Sequence, residues 1–179
     1  MKRIFLLLTA LFTLCNMAQG ELKVSDAVAK QKKITYTCTE TVPSKSKAEI
    51  FSCINRWAKK NYGKDVFVSN ISSNKQDATI FISSKIEILL SETDSTILKY
   101  KMNISCAEGK YTIKVSDLSY QYDPQNNRRF KSYPAEDVIS QQGKNNKVDI
   151  IKDPALFYKA TYGYMEILFN EVKQAAFSD

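Results

Sequence analysis

Leu98-Lys99-Tyr100-Lys101-Met102-Asn103-Ile104-Ser105-Cys106 alternates apolar and polar side chains at every step. Successive side chains of a strand point to opposite faces, so this stretch specifies a strand with one buried and one solvated side. Glu108-Gly109 reads as the turn that follows. Beyond it Tyr111, Ile113 and Val115 share one parity, whereas Leu118, Tyr120 and Tyr122 share the other. A bulge near Asp117 accounts for the slip. On the N-terminal side, Glu92 to Ser95 is a polar turn. It is preceded by a second alternating run, Ala78, Ile80, Ile82, Ile86, Ile88 and Leu90, in which Ser84 is the one lapse. Lys75 and Asp77 mark a turn back to an extended segment from Val66 to Ile71. From Lys33 onward Ile34, Tyr36 and Cys38 oppose Thr35, Thr37 and Thr39, which gives one more half-buried strand.

Two segments carry a helical period instead. Ser46 followed by Glu49 has the form of a capping box. Ile50, Cys53, Ile54, Trp57 and Ala58 then recur three and four apart, and Tyr62-Gly63 closes the helix with glycine as the expected left-handed cap. The second helix opens at Asp153 and Pro154 and runs a stripe through Phe157, Ala160, Tyr164, Ile167 or Leu168, Val172 and Ala175. Between Asp123 and Lys152 no period is sustained, and the segment reads as a long loop.

The order is therefore β-α-β-β-β-β-α. Both helices need an apolar partner, and one side of the sheet is the only one large enough. The expected architecture is an α+β two-layer sandwich, a five-stranded antiparallel-type sheet with two helices on one face and the other face open. Its core is expected to include Ile50, Cys53, Ile54, Trp57, Tyr100, Met102, Ile104, Ile113, Phe157, Tyr164 and Leu168.

The N-terminus has a different character. Met1-Lys2-Arg3 is followed by an apolar run from Ile4 to Leu14 and by Ala18-Gln19-Gly20, the pattern of a signal peptide cleaved after Gly20. The run is shorter than the roughly 20 residues that span a bilayer. An alternative is a lipid anchor on Cys15, although Leu14 is not the small residue that such a signal places before its cysteine. Residues 21–31 read as a flexible leader and 32–179 as a single domain. The chain has 26 Lys and Arg against 19 Asp and Glu, and removal of Lys2 and Arg3 lowers the net charge from +7 to +5. The excess is scattered apart from Lys30 to Lys33 and Arg128-Arg129 with Lys131, so it reads as a solvated surface. Cys38, Cys53 and Cys106 lie in phase with apolar neighbours, as buried free thiols do. One disulfide plus one free thiol is the alternative in an oxidising compartment.

Three stretches carry a family resemblance over roughly residues 33–122. They are Val42-Pro43-Ser44-Lys45-Ser46-Lys47, Ile54-Asn55-Arg56-Trp57-Ala58 and Gly109-Lys110-Tyr111-Thr112-Ile113. In these the chain resembles a family of small secreted bacterial domains of unknown function (DUF4468-like) with a TATA-binding-protein-like (TBP-like) fold. The resemblance implies the fold and is silent on chemistry. The fold's name raises a nucleic-acid reading, with DNA lying on the open face. Minor-groove binding of that kind uses apolar wedges, for which Phe81 alone qualifies, and export removes the substrate. No nucleic-acid partner is expected.

The chain contains no histidine, which excludes Ser-His and Cys-His nucleophiles and the commonest metal ligand. No phosphate-binding glycine loop or zinc-spaced cysteine pair occurs. No catalytic, cofactor-binding or metal-binding residue is assigned and no cofactor is expected. A carboxylate-based hydrolase using Glu136 and Asp137, or Asp149 and Asp153, is the enzymatic alternative. The main expectation is a non-enzymatic binding or interaction module in the periplasm or at the cell surface. Its partner would be a glycan or protein of the envelope, and an anion or acidic glycan would lie on the open face at Lys99, Lys101, Lys114 and Phe81. Arg128 and Arg129 would form one rim. A weak homodimer through the same face would use Phe81 and Leu89. Asp94-Ser95-Thr96 additionally matches a short O-glycosylation acceptor pattern.

Overall fold

The computed structural model of the chain describes residues 23–24, 33–65, 67–123, 131–139 and 148–178. The expected signal peptide, Cys15, Val66, Arg128 and Arg129 lie outside them. In chain order the elements are β1 (Lys23–Val24), β2 (Tyr36–Thr41), α1 (Lys47–Tyr62), β3 (Ser69–Asn74), β4 (Thr79–Leu89), β5 (Ser95–Ala107), β6 (Lys110–Tyr122), β7 (Lys131–Pro134), α2 (Ala135–Val138) and α3 (Pro154–Phe177).

β3 to β6 form a meander, and β2 adds antiparallel to the far side of β6, which gives the order β1-β2-β6-β5-β4-β3. The sheet is antiparallel throughout and carries its helices on one face, as expected. It has seven strands among the described residues, not five. One of the two additions, β1, pairs two leader residues with β2. The other, β7, pairs with Ser119–Tyr122 of β6, beyond the end of β2, and leads into the single turn α2. Both fall where no period was read. Strands of two and four residues are too short to establish one, and Pro134 stands at an edge, where a missing N–H costs no ladder bond.

The inward rows of β2, β4, β5 and β6 meet α1 and α3. Ile50, Cys53, Ile54, Tyr100, Met102, Ile104, Ile113, Phe157 and Leu168 are buried as expected. Trp57 and Tyr164 are instead half-buried against the core. Trp57 sits on the flank of an α1 face centred on Ile50, Ile54 and Ala58, with its ring set edge-on to Tyr62 at 5.5 Å. The tip of Tyr164 stays polar because its hydroxyl bonds that of Tyr100 at 2.8 Å.

The capping box forms in full: Ser46 and Glu49 each bond the other's backbone N–H. Gly63 is not left-handed, since its φ is −85°. Its need for glycine is close approach, because a Cβ there would lie 2.5 Å from the Lys59 carbonyl oxygen. Asp153 caps α3 and Pro154 opens it, but the buried stripe runs through Phe157, Thr161, Met165, Leu168, Phe169, Val172 and Ala176. Ile167 is 60% exposed. The expected stripe holds at Phe157, Leu168, Val172 and Ala175, which is buried too, and moves by one residue at Ala160 and Tyr164, where Thr161 and Met165 are buried instead. Thr161 is the reason the shift was hidden: a polar residue takes the central position by bonding the Tyr120 hydroxyl at 2.7 Å inside the core.

Candidate functional site on the open sheet face

The side of the sheet away from the helices can be followed strand by strand. One rung holds Phe81, Asn103 and Lys114; the next holds Ser83, Lys101 and Ser116; the next holds Lys85, Lys99 and Ser119. A groove of about 530 Å³ crosses the last two, and its lining includes Phe67, Asn70, Ser83, Lys85, Lys99, Lys101 and Asp117. Two of the expected ligand residues, Lys99 and Lys101, line it. Phe81 and Lys114 stand one rung away and do not.

The bulge fixes the electrostatics. Between Lys99 and Lys101 the register shifts, so that Asp117 and Leu118 together face Tyr100. Asp117 adopts φ +53°, a left-handed conformation that Asp and Asn tolerate better than most residues. The kink holds its carboxylate on the open face, where it accepts from Lys33 at 2.6 Å and from Lys101 at 2.9 Å. Hydrogen bonds from those two ammonium groups hold the carboxyl down at about 2, favouring its charged form. Lys101, one of the lysines expected to hold an anion on this face, is therefore already paired with a carboxylate of the chain itself.

Lys85 was the residue missed as a site. It lies directly opposite Lys99, where Cβ atoms on neighbouring strands are about 5 Å apart. Both are half-buried, and neither has an ion-pair partner among the described residues. Equal steps outward from the connection between Leu89 and Ser95 bring these two residues together, so the signal was present. It required the hairpin register as well as the alternation. Phe67, 87% exposed at the groove's edge, follows Val66 in a segment read as strand and carried no signal of its own.

A second trough of about 590 Å³ continues from Lys85 past Glu87 to Asp94, Gln121 and Asp123. Its acids are engaged within the fold: Glu87 accepts from Ser95 at 2.5 Å and Asp94 from the Tyr122 hydroxyl at 2.7 Å. The Ser95 hydroxyl of the glycosylation pattern is thus bonded, and Thr96 is buried against the Gln121 carbonyl. Asp153 is occupied as a helix cap. Glu136 and Asp137 fall in the first turn of α2. Phe81 and Leu89, the apolar content of the expected face-to-face dimer, lie eight residues apart on one strand, about 26 Å at strand rise. They form no single patch.

Cys38, Cys53 and Cys106 are buried thiols in no disulfide, and burial lifts Cys38 and Cys106 to about 11. Among the described residues no group of acids and thiols is arranged to hold a metal. No described helix is long and apolar enough to cross a membrane.

Two solved structures share this architecture. A TBP-like protein from Parabacteroides distasonis ATCC 8503 is 53% identical, covers 83% of this chain and 95% of its own, and superposes with a TM-score of 0.79. A DUF4468 family protein from Bacteroides ovatus ATCC 8483, at 19% identity, 87% and 91% coverage and a TM-score of 0.70, shares the fold. No functionally curated protein matches. Residues 36–121, from β2 to the end of the meander, match the family described as a domain of unknown function (DUF4468) with TBP-like fold. With this match and the 53% identical relative, the chain belongs to the DUF4468 family of TBP-like domains.

Proposed function

We propose that this protein is an exported, non-enzymatic binding module whose open sheet face takes an acidic glycan in the groove over Lys85 and Lys99. The observation that carries the reading is that pair. The two lysines are directly opposed in the ladder, both half-buried, and neither has an ion-pair partner among the described residues. Like charges that close repel, and an anion laid across them removes the repulsion. The groove's other walls suit a sugar: hydroxyls from Ser83 and Ser119, the amide of Asn70 and the exposed ring of Phe67. Pockets of this size, with an aromatic surface and a few convergent polar groups, are typical of small-ligand sites. Export rests on the signal-peptide pattern of residues 1–20. The absence of histidine from the whole chain, together with the structural engagement of Glu87, Asp94 and Asp153, supports binding over hydrolysis.

The test is retention of the domain without residues 1–20 on a polygalacturonate matrix at low salt. Lys85→Glu and Lys99→Glu should each abolish retention. Lys114→Glu, the same change of net charge one rung outside the groove, should leave it intact. Equal losses for all three variants would mean that only net charge is being read, and retention surviving the Lys85→Glu/Lys99→Glu double variant would end the proposal.

A further inference from the structure

β4 outruns its neighbour. β3 pairs with it only as far as Ser69 against Ser84, and the last main-chain bond across that seam runs from the Lys85 amide to the Val68 carbonyl at 3.1 Å. β4 itself continues to Leu89. In an antiparallel ladder the main-chain groups of successive residues point to opposite sides. Because those of Lys85 point away from β5, those of Glu87 and Leu89 do too. Among the described residues nothing bonds to them on that side. Native sheets usually blunt or cover such an edge. This one carries Glu87 between exposed apolar side chains, with Leu89 71% and Ile86 36% exposed.

On the helix side of the bare edge lies a cavity of about 280 Å³, lined by Tyr62, Ile86, Tyr100, Tyr164, Ile167 and Leu168. It is smaller than the roughly 300–1,000 Å³ of small-molecule sites and closer to the scale of one large side chain. Its floor is the hydroxyl chain Tyr62–Tyr100–Tyr164, closed at 3.0 and 2.8 Å. Its rim includes the exposed Glu171, which has no ion-pair partner among the described residues.

We propose that this edge receives an extended peptide strand of another protein. The strand bonds the N–H and C=O groups of Glu87 and Leu89, lowers one large apolar side chain into the cavity, and sets a basic side chain beside Glu171. Donors and acceptors repeating every second residue, about 6.7 Å apart, match another backbone in strand conformation. The carboxylates of Glu87 on one side and Glu171 on the other select for positive charge in that strand. A second copy of this chain fits less well. β3 already occupies Lys85, so two-fold pairing centred on Glu87 sets two carboxylates opposite each other. Centring on Ile88 uses the same main-chain groups as the peptide but sets Leu89 of the second copy, not a basic side chain, opposite Glu87. The cavity adjoins the Lys85–Lys99 groove and shares Val68, Ser69, Ser84, Lys85 and Tyr100 with it, but the strand site uses the edge of β4 and the helix side of the sheet and does not rest on the glycan reading.

The experiment titrates the ¹⁵N-labelled domain without residues 1–20 with the capped peptide acetyl-Thr-Lys-Thr-Phe-Thr-Val-Thr-amide, reading backbone amide shifts. Saturable changes confined to residues 86–89 and 164–171 are expected. Glu87→Pro removes an outward amide that no described strand uses, a substitution that edge strands accommodate, and should weaken binding about tenfold. Ile167→Glu changes an exposed helix position at the cavity's lip and should do the same, so a poorly folded proline variant does not remove the test. N-methylation of the peptide on its bonding edge should also abolish the shifts. Three results would each overturn the proposal. One is the absence of saturable shifts at the peptide's solubility limit. Another is shifts confined to the Lys99–Lys101 face. The last is a sedimenting dimer whose Glu87 and Leu89 amides are protected from exchange without peptide.

Discussion

Asp117 shows how much one side chain organises here. Its bulge was legible, because the apolar parity reverses between Val115 and Leu118. Its partners were not: Lys33 is 84 positions away and Lys101 is on another strand. The pairing has a pH signature. The folded-state carboxyl titrates near 2, below its ordinary 3.8, so its stabilising contribution is complete above about pH 4 and lost as pH falls toward 2. Melting temperature recorded between pH 5 and 2 should fall for the parent protein, and Asp117→Asn should remove part of that fall with only a small loss at neutral pH. Asparagine keeps the tolerance for positive φ and isolates the charge. An unchanged acid profile would show that these ion pairs are too well solvated to matter. Lys85 and Lys99 belong to the same scale, since each reads alone as an ordinary surface lysine and only the register between them makes a site.

At the scale of single elements, local rules worked where the deciding contacts were local. The capping box of α1 and the Asp153-Pro154 start of α3 depend on neighbours within four residues, and both formed as read. The α3 stripe was read correctly at Phe157, Leu168, Val172 and Ala175, but Thr161 was missed because the bond that lets it enter the core comes from Tyr120, 41 positions away. The glycines divide by the same criterion. Gly63 is held by close approach to Lys59, whereas nothing lies within 4 Å of a Cβ built on Gly163. Gly163→Ala should therefore stabilise the protein by about 0.5–1 kcal/mol through reduced freedom of the unfolded chain and better helix propensity. A rise in melting temperature of about 1–4 °C is the expected reading for a chain of this size. A fall would reveal a packing role for that position.

For the molecule as a whole, the three thiols report on the integrity of the two layers. Cys38 and Cys106 lie on inward strand rows and Cys53 on the inner side of α1, where it contacts the Ser178 carbonyl near the end of α3. The domain without residues 1–20 should show no rapid reaction with an aromatic disulfide reagent when native and three equivalents when denatured, since burial shields all three sulfurs and disfavours the thiolate of Cys38 and Cys106. Rapid modification of one thiol under native conditions would mean that the helical layer opens. Alternation and helical spacing, written in contiguous stretches, determined by themselves that the chain forms a meander of strands with two amphipathic helices on one side. Each of those patterns is a statement about residues a few positions apart. Tertiary structure alone decided that β2 and β7 share one side of β6, that Asp117 pairs with Lys101 while Lys85 faces Lys99, and that β4 runs on past the end of β3. Those outcomes depend on strand register and strand length, which are set by packing between segments far apart in the chain.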